Sequence, residues 1–152
     1  MTDNYQNINN LKISKFKDLW GSHGVFTTIR LVGKPGKLVL FNNHFINLIK
    51  SLKKYKIYSK NIEEKIKALI RANIKNNFKY NHLFRVALSK KLISISIRKR
   101  LNPSNNFELK VLNYKRIDPK YKNLQYKYIL KKLNFYDATK VDILLVYKKK
   151  VL

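Results

Sequence analysis

Hydrophobic positions along the chain switch between two spacings, and each switch marks an element. Residues 1–20 are polar and basic and carry few signals. From Val25 to Val32 the run is β-branched and apolar, which predicts a buried strand. Gly33-Lys34-Pro35-Gly36 predicts a turn, and Leu38 to Phe41 the returning strand of a hairpin. Phe45, Leu48, Ile49, Leu52 and Tyr55 then recur at three- and four-residue spacing, the stripe of an amphipathic helix that Asn42 or Asn43 would cap. A second helix is expected from Asn61, which forms a capping-box-like pair with Glu64. Its buried face would be Ile62, Ile66, Leu69, Ile70 and Ile74, and Asn76-Asn77 would end it.

The spacing next drops to two. Leu83 to Leu88 and Leu92 to Ile97 predict strands joined around Ser89-Lys90-Lys91. Ile93, Ile95 and Ile97 alternate with Ser94 and Ser96, so one face is expected in the core and the other polar. Asn102 to Asn106 is a loop, and Phe107 to Leu112 another strand. A basic, tyrosine-rich connection around Asp118-Pro119 precedes a helix expected from about Lys122 to Tyr136. Val141 to Tyr147 is a strand, and Lys148-Lys149-Lys150 a turn toward one more. The fold class is α+β, a mixed sheet with helices to one side. Residues 1–115 read as a small N-terminal domain and 116–152 as the beginning of a second one. The chain stops at Val151-Leu152, where a strand would start, which reads as truncation.

Composition changes this picture in one respect. Hydrophobic residues are 45% of the 152, enough for a packed core. No apolar run approaches the ~20 residues that span a bilayer, and Met1 to Asn10 lack the apolar stretch of a signal peptide. With no cysteine, disulfides and thiolate chemistry are excluded; a cytoplasmic protein without membrane contact is the simplest reading. The net charge of +26 points to nucleic acid, since such a surface binds phosphate backbones. Yet of 34 basic residues only six are arginine, leaving 28 lysines. Lysine, asparagine, isoleucine, tyrosine and phenylalanine all have A/T-rich codons, so base-composition drift yields this charge whatever the function. Dedicated readers of nucleic acid lean on arginine for bidentate contacts. Non-specific nucleic-acid binding is therefore what the charge supports, and a small basic, ribosome-associated protein is the alternative reading of the chain.

Ordinary catalytic motifs are missing. His23, His44 and His82 are not spaced as metal ligands, and His44 reads as a helix-start residue packed locally. Eight acidic residues leave few options for paired-carboxylate catalysis, and no phosphate-cradling glycine loop occurs. The order of short motifs is more informative. Gly21 to Arg30 holds Gly24-Val25-Phe26-Thr27-Thr28-Ile29-Arg30, a turn follows at Gly33, and then comes Asn43-His44-Phe45-Ile46-Asn47-Leu48-Ile49-Lys50-Ser51-Leu52. Phe84 to Ser89, Lys122-Asn123-Leu124-Gln125-Tyr126 and Val141 to Val146 complete the series.

This succession resembles the front part of the class IV aminotransferase and aminodeoxychorismate lyase family, enzymes that use pyridoxal 5'-phosphate (PLP). There a strand reading G-x-F-E/T-T-I/A-R precedes a helix opening E-H-x-x-R-L-x-x-S, and a K-x-x-N-Y or K-x-L-N-R segment precedes a D-E-A-L-L-L strand. Phe26-Thr27-Thr28 is closer to the lyases than to the F-E-G of branched-chain aminotransferases. The resemblance covers about residues 20–152. It implies the small domain of a D-amino-acid-aminotransferase-like fold followed by the start of the cofactor domain. It also implies PLP as cofactor, a small-molecule amino substrate and a homodimer.

By the same resemblance Lys122 is the catalytic lysine that holds the cofactor as a Schiff base, and Thr28 and Arg30 lie on the substrate side. A lysine attacks an aldehyde only when neutral, and the freed amine then shuttles a proton at the substrate carbon. The outcome is loss of pyruvate and formation of 4-aminobenzoate in a lyase of the folate branch, or exchange of the amino group in an aminotransferase. Asn47 stands where the family has the arginine that binds the cofactor phosphate, and it brings a hydrogen bond without a charge. The glutamate facing the pyridine nitrogen would lie beyond Leu152. The site is therefore expected to be incomplete, with PLP bound weakly or not at all by this chain alone.

Overall fold

The computed structural model describes residues 2–7, 13–14, 18–148 and 150–151, with backbone alone before Asp18. Six strands form one antiparallel sheet: β1 (Thr2–Asn7), β2 (Ile13–Ser14), β3 (Gly24–Gly33), β4 (Lys37–Leu38), β5 (Tyr80–Ser89) and β6 (Leu92–Lys99). They lie in the order β2-β1-β6-β5-β3-β4. Period-two patterning builds its main face. Val25 pairs with Leu88, Ile29 with Phe84, and Leu88, Val86 and Phe84 in turn with Ile93, Ile95 and Ile97. The result is an apolar carpet three strands wide.

Two helices cover that carpet, α1 (Phe41–Lys54) and α2 (Ile62–Asn73). Leu48 and Leu52 from α1, and Ile62, Ile66, Leu69 and Ile70 from α2, join the strand side chains in one core. Each fully buried side chain of this size contributes about 1.5–3 kcal/mol. Helix starts differ from expectation. At the start of α1 the cap position is Leu40, in the left-handed region at φ 52°, and Asn42 and Asn43 fall inside the first turn. The hairpin's return strand is only two residues long, so the chain turns into the helix earlier. Asn61 does stand at the cap of α2, but its φ of 66° leaves the side chain without a cap hydrogen bond, and the capping box is not made. A capping side chain works from an extended backbone, which Asn61 does not have. The same helix ends at Asn73, before Asn76-Asn77, with Ile74 at its C-terminal cap.

The opposite face of the sheet is also covered, against expectation. Ser94 and Ser96 are only 3% and 2% exposed. Leu19 and Leu124 pack there with Ala87, and Trp20, Phe26 and Leu92 border them. Trp20 meets Phe26 edge-on at 4.9 Å, and the Arg85 guanidinium lies 4.6 Å over the Trp20 ring. A further departure is β1, which pairs with β6 from Thr2↔Ile97 to Asn7↔Leu92, although its polar sequence gives no strand signal.

The α+β class expected from the sequence is present, with its strands divided between two sheets. A second, three-stranded one contains β7 (Glu108–Asn113), β8 (Val141–Tyr147) and β9 (Lys150–Val151) in the order β7-β8-β9. β7 and β8 are parallel, from Glu108↔Val141 to Asn113↔Val146. A parallel pair needs a crossover of a dozen or more residues, and residues 114–140, with α3 (Lys127–Leu133), supply it. α3 is shorter than the helix expected from Lys122, because residues ahead of it are extended along β3. β7 thus pairs with a strand from the far side of residue 116.

Candidate functional site

The segment carrying Lys122 lies on the free edge of β3. Phe26 N donates to Lys122 O at 2.8 Å, Leu124 N to Gly24 O at 2.9 Å, and Gly21 N to Leu124 O at 2.8 Å. An antiparallel bridge joins Val25 to Asn123. Glycine is required at 24 by this approach. A Cβ there would sit 2.2 Å from Leu88 O and 2.6 Å from Leu124 Cδ1.

Loop 116–123 is tied from within. Asn123, 1% exposed, donates from Nδ2 to Ile117 O at 2.7 Å, and its Oδ1 accepts from Gln125 N at 3.0 Å. Arg116 Nη2 donates to Pro119 O and to Tyr121 O. These bonds satisfy the backbone of a tight loop and hold Lys120 and Lys122 toward α1.

Between this loop and α1 lies a cavity of about 380 Å³, a size usual for small-molecule sites. Thr27 from β3, His44, Asn47, Lys50 and Ser51 from α1, and Lys120 and Lys122 from the loop line it. Helical spacing explains the α1 wall, since positions 44, 47, 50 and 51 fall on one side. His44 Nδ1 and Thr27 Oγ1 are hydrogen-bonded at 3.2 Å, and Ser51 Oγ donates to Asn47 O at 2.8 Å. Burial, and after it the positive charge of Lys122, hold the His44 imidazole below its usual value. Every formal charge lining the cavity is positive.

Strand alternation sends the two threonines to opposite faces. Thr27 meets His44, whereas Thr28 lines a second cavity of about 480 Å³ with Trp20, Arg85, Arg98 and Tyr126. Phe26 lines both cavities. Arg30 is exposed, lines neither, and its carbonyl accepts from Val39 N at 2.9 Å. The structure therefore brings Lys122 and Asn47 together, sets Thr28 across the sheet, and leaves Arg30 apart. His44 packs locally, as expected, but it is also part of the cavity wall. Lys50, Ser51 and Lys120 escaped sequence reasoning; the signal for the first two was their spacing from Asn47 on one helix side. Among the described residues there is no cluster of three or more His, Asp or Glu that could hold a metal, and no helix long and apolar enough to cross a membrane.

No protein-family model matches the chain, and neither does any curated protein. Solved structures do. A branched-chain aminotransferase from Thermoproteus uzoniensis, solved with norvaline, aligns over 98% of this chain with a TM-score of 0.68 at 15% identity. A structure described as a putative 4-amino-4-deoxychorismate lyase aligns over 93% with a TM-score of 0.64 at 17% identity. A hypothetical aminotransferase from Mycobacterium tuberculosis, in its PLP-bound form, aligns over 99% with a TM-score of 0.58 at 13% identity. The chain spans 61%, 62% and 65% of the lengths of these three proteins. At such identities the likeness is one of fold: over nearly its whole length the chain shares the fold of about three fifths of these aminotransferase and putative lyase structures.

Proposed function

We propose that this chain is the small domain and lysine-bearing segment of a PLP-dependent enzyme acting on a small amino substrate, nearer to aminodeoxychorismate lyases than to aminotransferases. The observation that carries the reading is the meeting of Lys122 and Asn47 across one cavity, from segments 75 positions apart in the sequence. The lyase preference rests on Phe26-Thr27-Thr28, where Thr27 offers His44 a neutral hydroxyl. A basic nucleic-acid-binding protein is not favoured, because the fold neighbours described above are enzymes of small amino compounds.

The cavity suits the cofactor. It presents a primary amine, donors for a phosphate and, among the described residues, no carboxylate to repel one. PLP, when bound, supplies the electron sink for a carbanion at the substrate carbon. The chain's own residues do the rest. Lys122 would attach the cofactor through Nζ and, once released by the incoming amine, carry a proton at the substrate carbon. Asn47 would donate to a phosphate oxygen. His44, held toward its neutral form and bonded to Thr27, fixes the α1 wall against β3. Thr28, in the cavity on the other face, would meet substrate, with Arg30 at the outer end of the same strand. A homodimer is part of the proposal.

The test is covalent capture. The full chain is incubated with excess PLP, reduced with borohydride and mapped by peptide mass spectrometry. The cofactor should be fixed on Lys122, itself exposed, well above the level on lysines outside the cavity such as Lys37, and Lys122→Met should remove a visible absorbance band. Equal labelling of Lys122 and Lys37 would overturn the proposal. Pyruvate release set against amino-group exchange then separates lyase from aminotransferase.

A further inference from the structure

Lys50 and Lys120 line the cavity from opposite walls and have no part in the reading above. Lys50 stands one helical turn beyond Asn47 on α1, and Lys120 two residues before Lys122 on the stapled loop. Among the described residues neither ammonium has an acidic partner within salt-bridge distance. Ser51 Oγ already donates to the helix backbone, so Asn47 is left as the neutral donor on that wall. Three like charges around one small cavity repel one another, and an anion placed between them relieves that repulsion. Lys50 and Lys120 are exposed side chains that line the same cavity as Asn47, and a dianionic phosphate is a group that matches two ammonium ions beside an amide donor.

We propose that Lys50 and Lys120 bind the phosphate of the aldehyde that Lys122 attaches, supplying the charge that Asn47 lacks. The inference rests on the reading of Lys122 above and adds two binding residues to it. It also explains how a chain with asparagine at 47 can retain an anion site: the charge has moved one turn along the same helix side and onto the facing loop. The assignment is to a phosphate carried next to an aldehyde, because Lys50, Lys120 and Lys122 line one cavity of about 380 Å³.

The experiment compares two probes that differ only in phosphate, PLP and pyridoxal, captured with borohydride and quantified peptide by peptide. Labelling at Lys37 gives the reference for the general attraction of anions to a protein of charge +26. Relative to that reference, Lys122 should prefer PLP by about tenfold or more, the usual worth of charge-assisted contacts. In the double variant Lys50→Met, Lys120→Met the preference for PLP over pyridoxal should fall to within about twofold while Lys122 still captures pyridoxal; in Lys50→Arg, Lys120→Arg the preference should persist. A preference that survives the methionine pair overturns the proposal, as does equal capture of both probes by the wild-type protein, which leaves Lys122 as the attachment point. Capture of neither probe at Lys122 overturns the functional reading and this inference with it.

Discussion

Gly24→Ala tests the junction on which the site depends. Gly24 lies between β5 and the Lys122 segment, and its carbonyl accepts from Leu124 N. The added methyl carbon would stand 2.2 Å from Leu88 O and 2.6 Å from Leu124 Cδ1. The second contact can be relieved by a side-chain shift, but the first is with the backbone of a central strand. Overpacking usually costs about 1–3 kcal/mol, and a backbone clash belongs at the upper end, about 3 kcal/mol. That is a large share of the roughly 5–15 kcal/mol by which domains are stable. Urea unfolding with linear extrapolation measures it. Leu124→Ala separates the two contacts. Alone it should cost about 2–5 kcal/mol as a cavity. In its background Gly24→Ala should still cost about 2 kcal/mol, because Leu88 O remains in the way. A Gly24→Ala protein within about 0.5 kcal/mol of wild type, the range of innocuous substitutions, would falsify the close packing of the Lys122 segment on β3. Capture of PLP at Lys122 should fall in parallel, since Phe26 N holds Lys122 O two residues along the same edge.

Other consequences are as concrete. Leu40, at φ 52° and 67% exposed, occupies a conformation costly for any L-residue but glycine; Leu40→Gly should raise stability by about 0.5–1 kcal/mol, seen as a thermal midpoint a few degrees higher, and a lower midpoint would refute it. Asn123→Ala removes the donor to Ile117 O and the acceptor for Gln125 N, and should cost about 2–3 kcal/mol in urea unfolding while loosening Lys122; a neutral effect would show that the loop holds without it. His44 is lowered first by burial and then by Lys122, so Lys122→Met should move its NMR titration upward but not fully to the ordinary value. The sign for stability follows. The unfolded chain takes up a proton near the ordinary imidazole value of 6.5 that folded His44 takes up only at lower pH. The contribution of His44 is thus complete above that value and is lost as pH falls from it through the folded one. An unchanged titration in Lys122→Met would separate His44 from the lysine.

The legible parts of the fold were those where one local rule and the tertiary structure agree. Leu83 to Leu88 and Ile93 to Ile97 alternate at a spacing of two, and Val25 to Val32 is a largely β-branched and apolar run, so the three strands pair by burying one apolar face. Where a distant segment decides, sequence pattern fails. Ser94 and Ser96 look like a solvated face because serine tolerates water, but Leu19, Trp20 and Leu124 cover that side of the sheet from remote positions. β1 is polar and becomes a strand through the exposed edge of β6, a backbone property that side chains do not advertise. Asn61 shows the finer limit: residue type and position suit a cap, and the left-handed backbone cancels it.

The site followed the same division. Motif order singled out Lys122 and Asn47, and the fold sets them on facing walls because the Lys122 segment takes the vacant edge of β3 beside α1. The same order grouped Thr28 with them, and alternation forbids that grouping on one wall: Thr27 faces α1 and Thr28 faces the other way. The strand edge resolves the difference. Phe26 lines both cavities, and its backbone nitrogen is the group that binds Lys122 O. In the proposed reading Lys122 works from the cavity on the α1 side, and Phe26 is the residue through which that cavity adjoins the one lined by Trp20 and Tyr126.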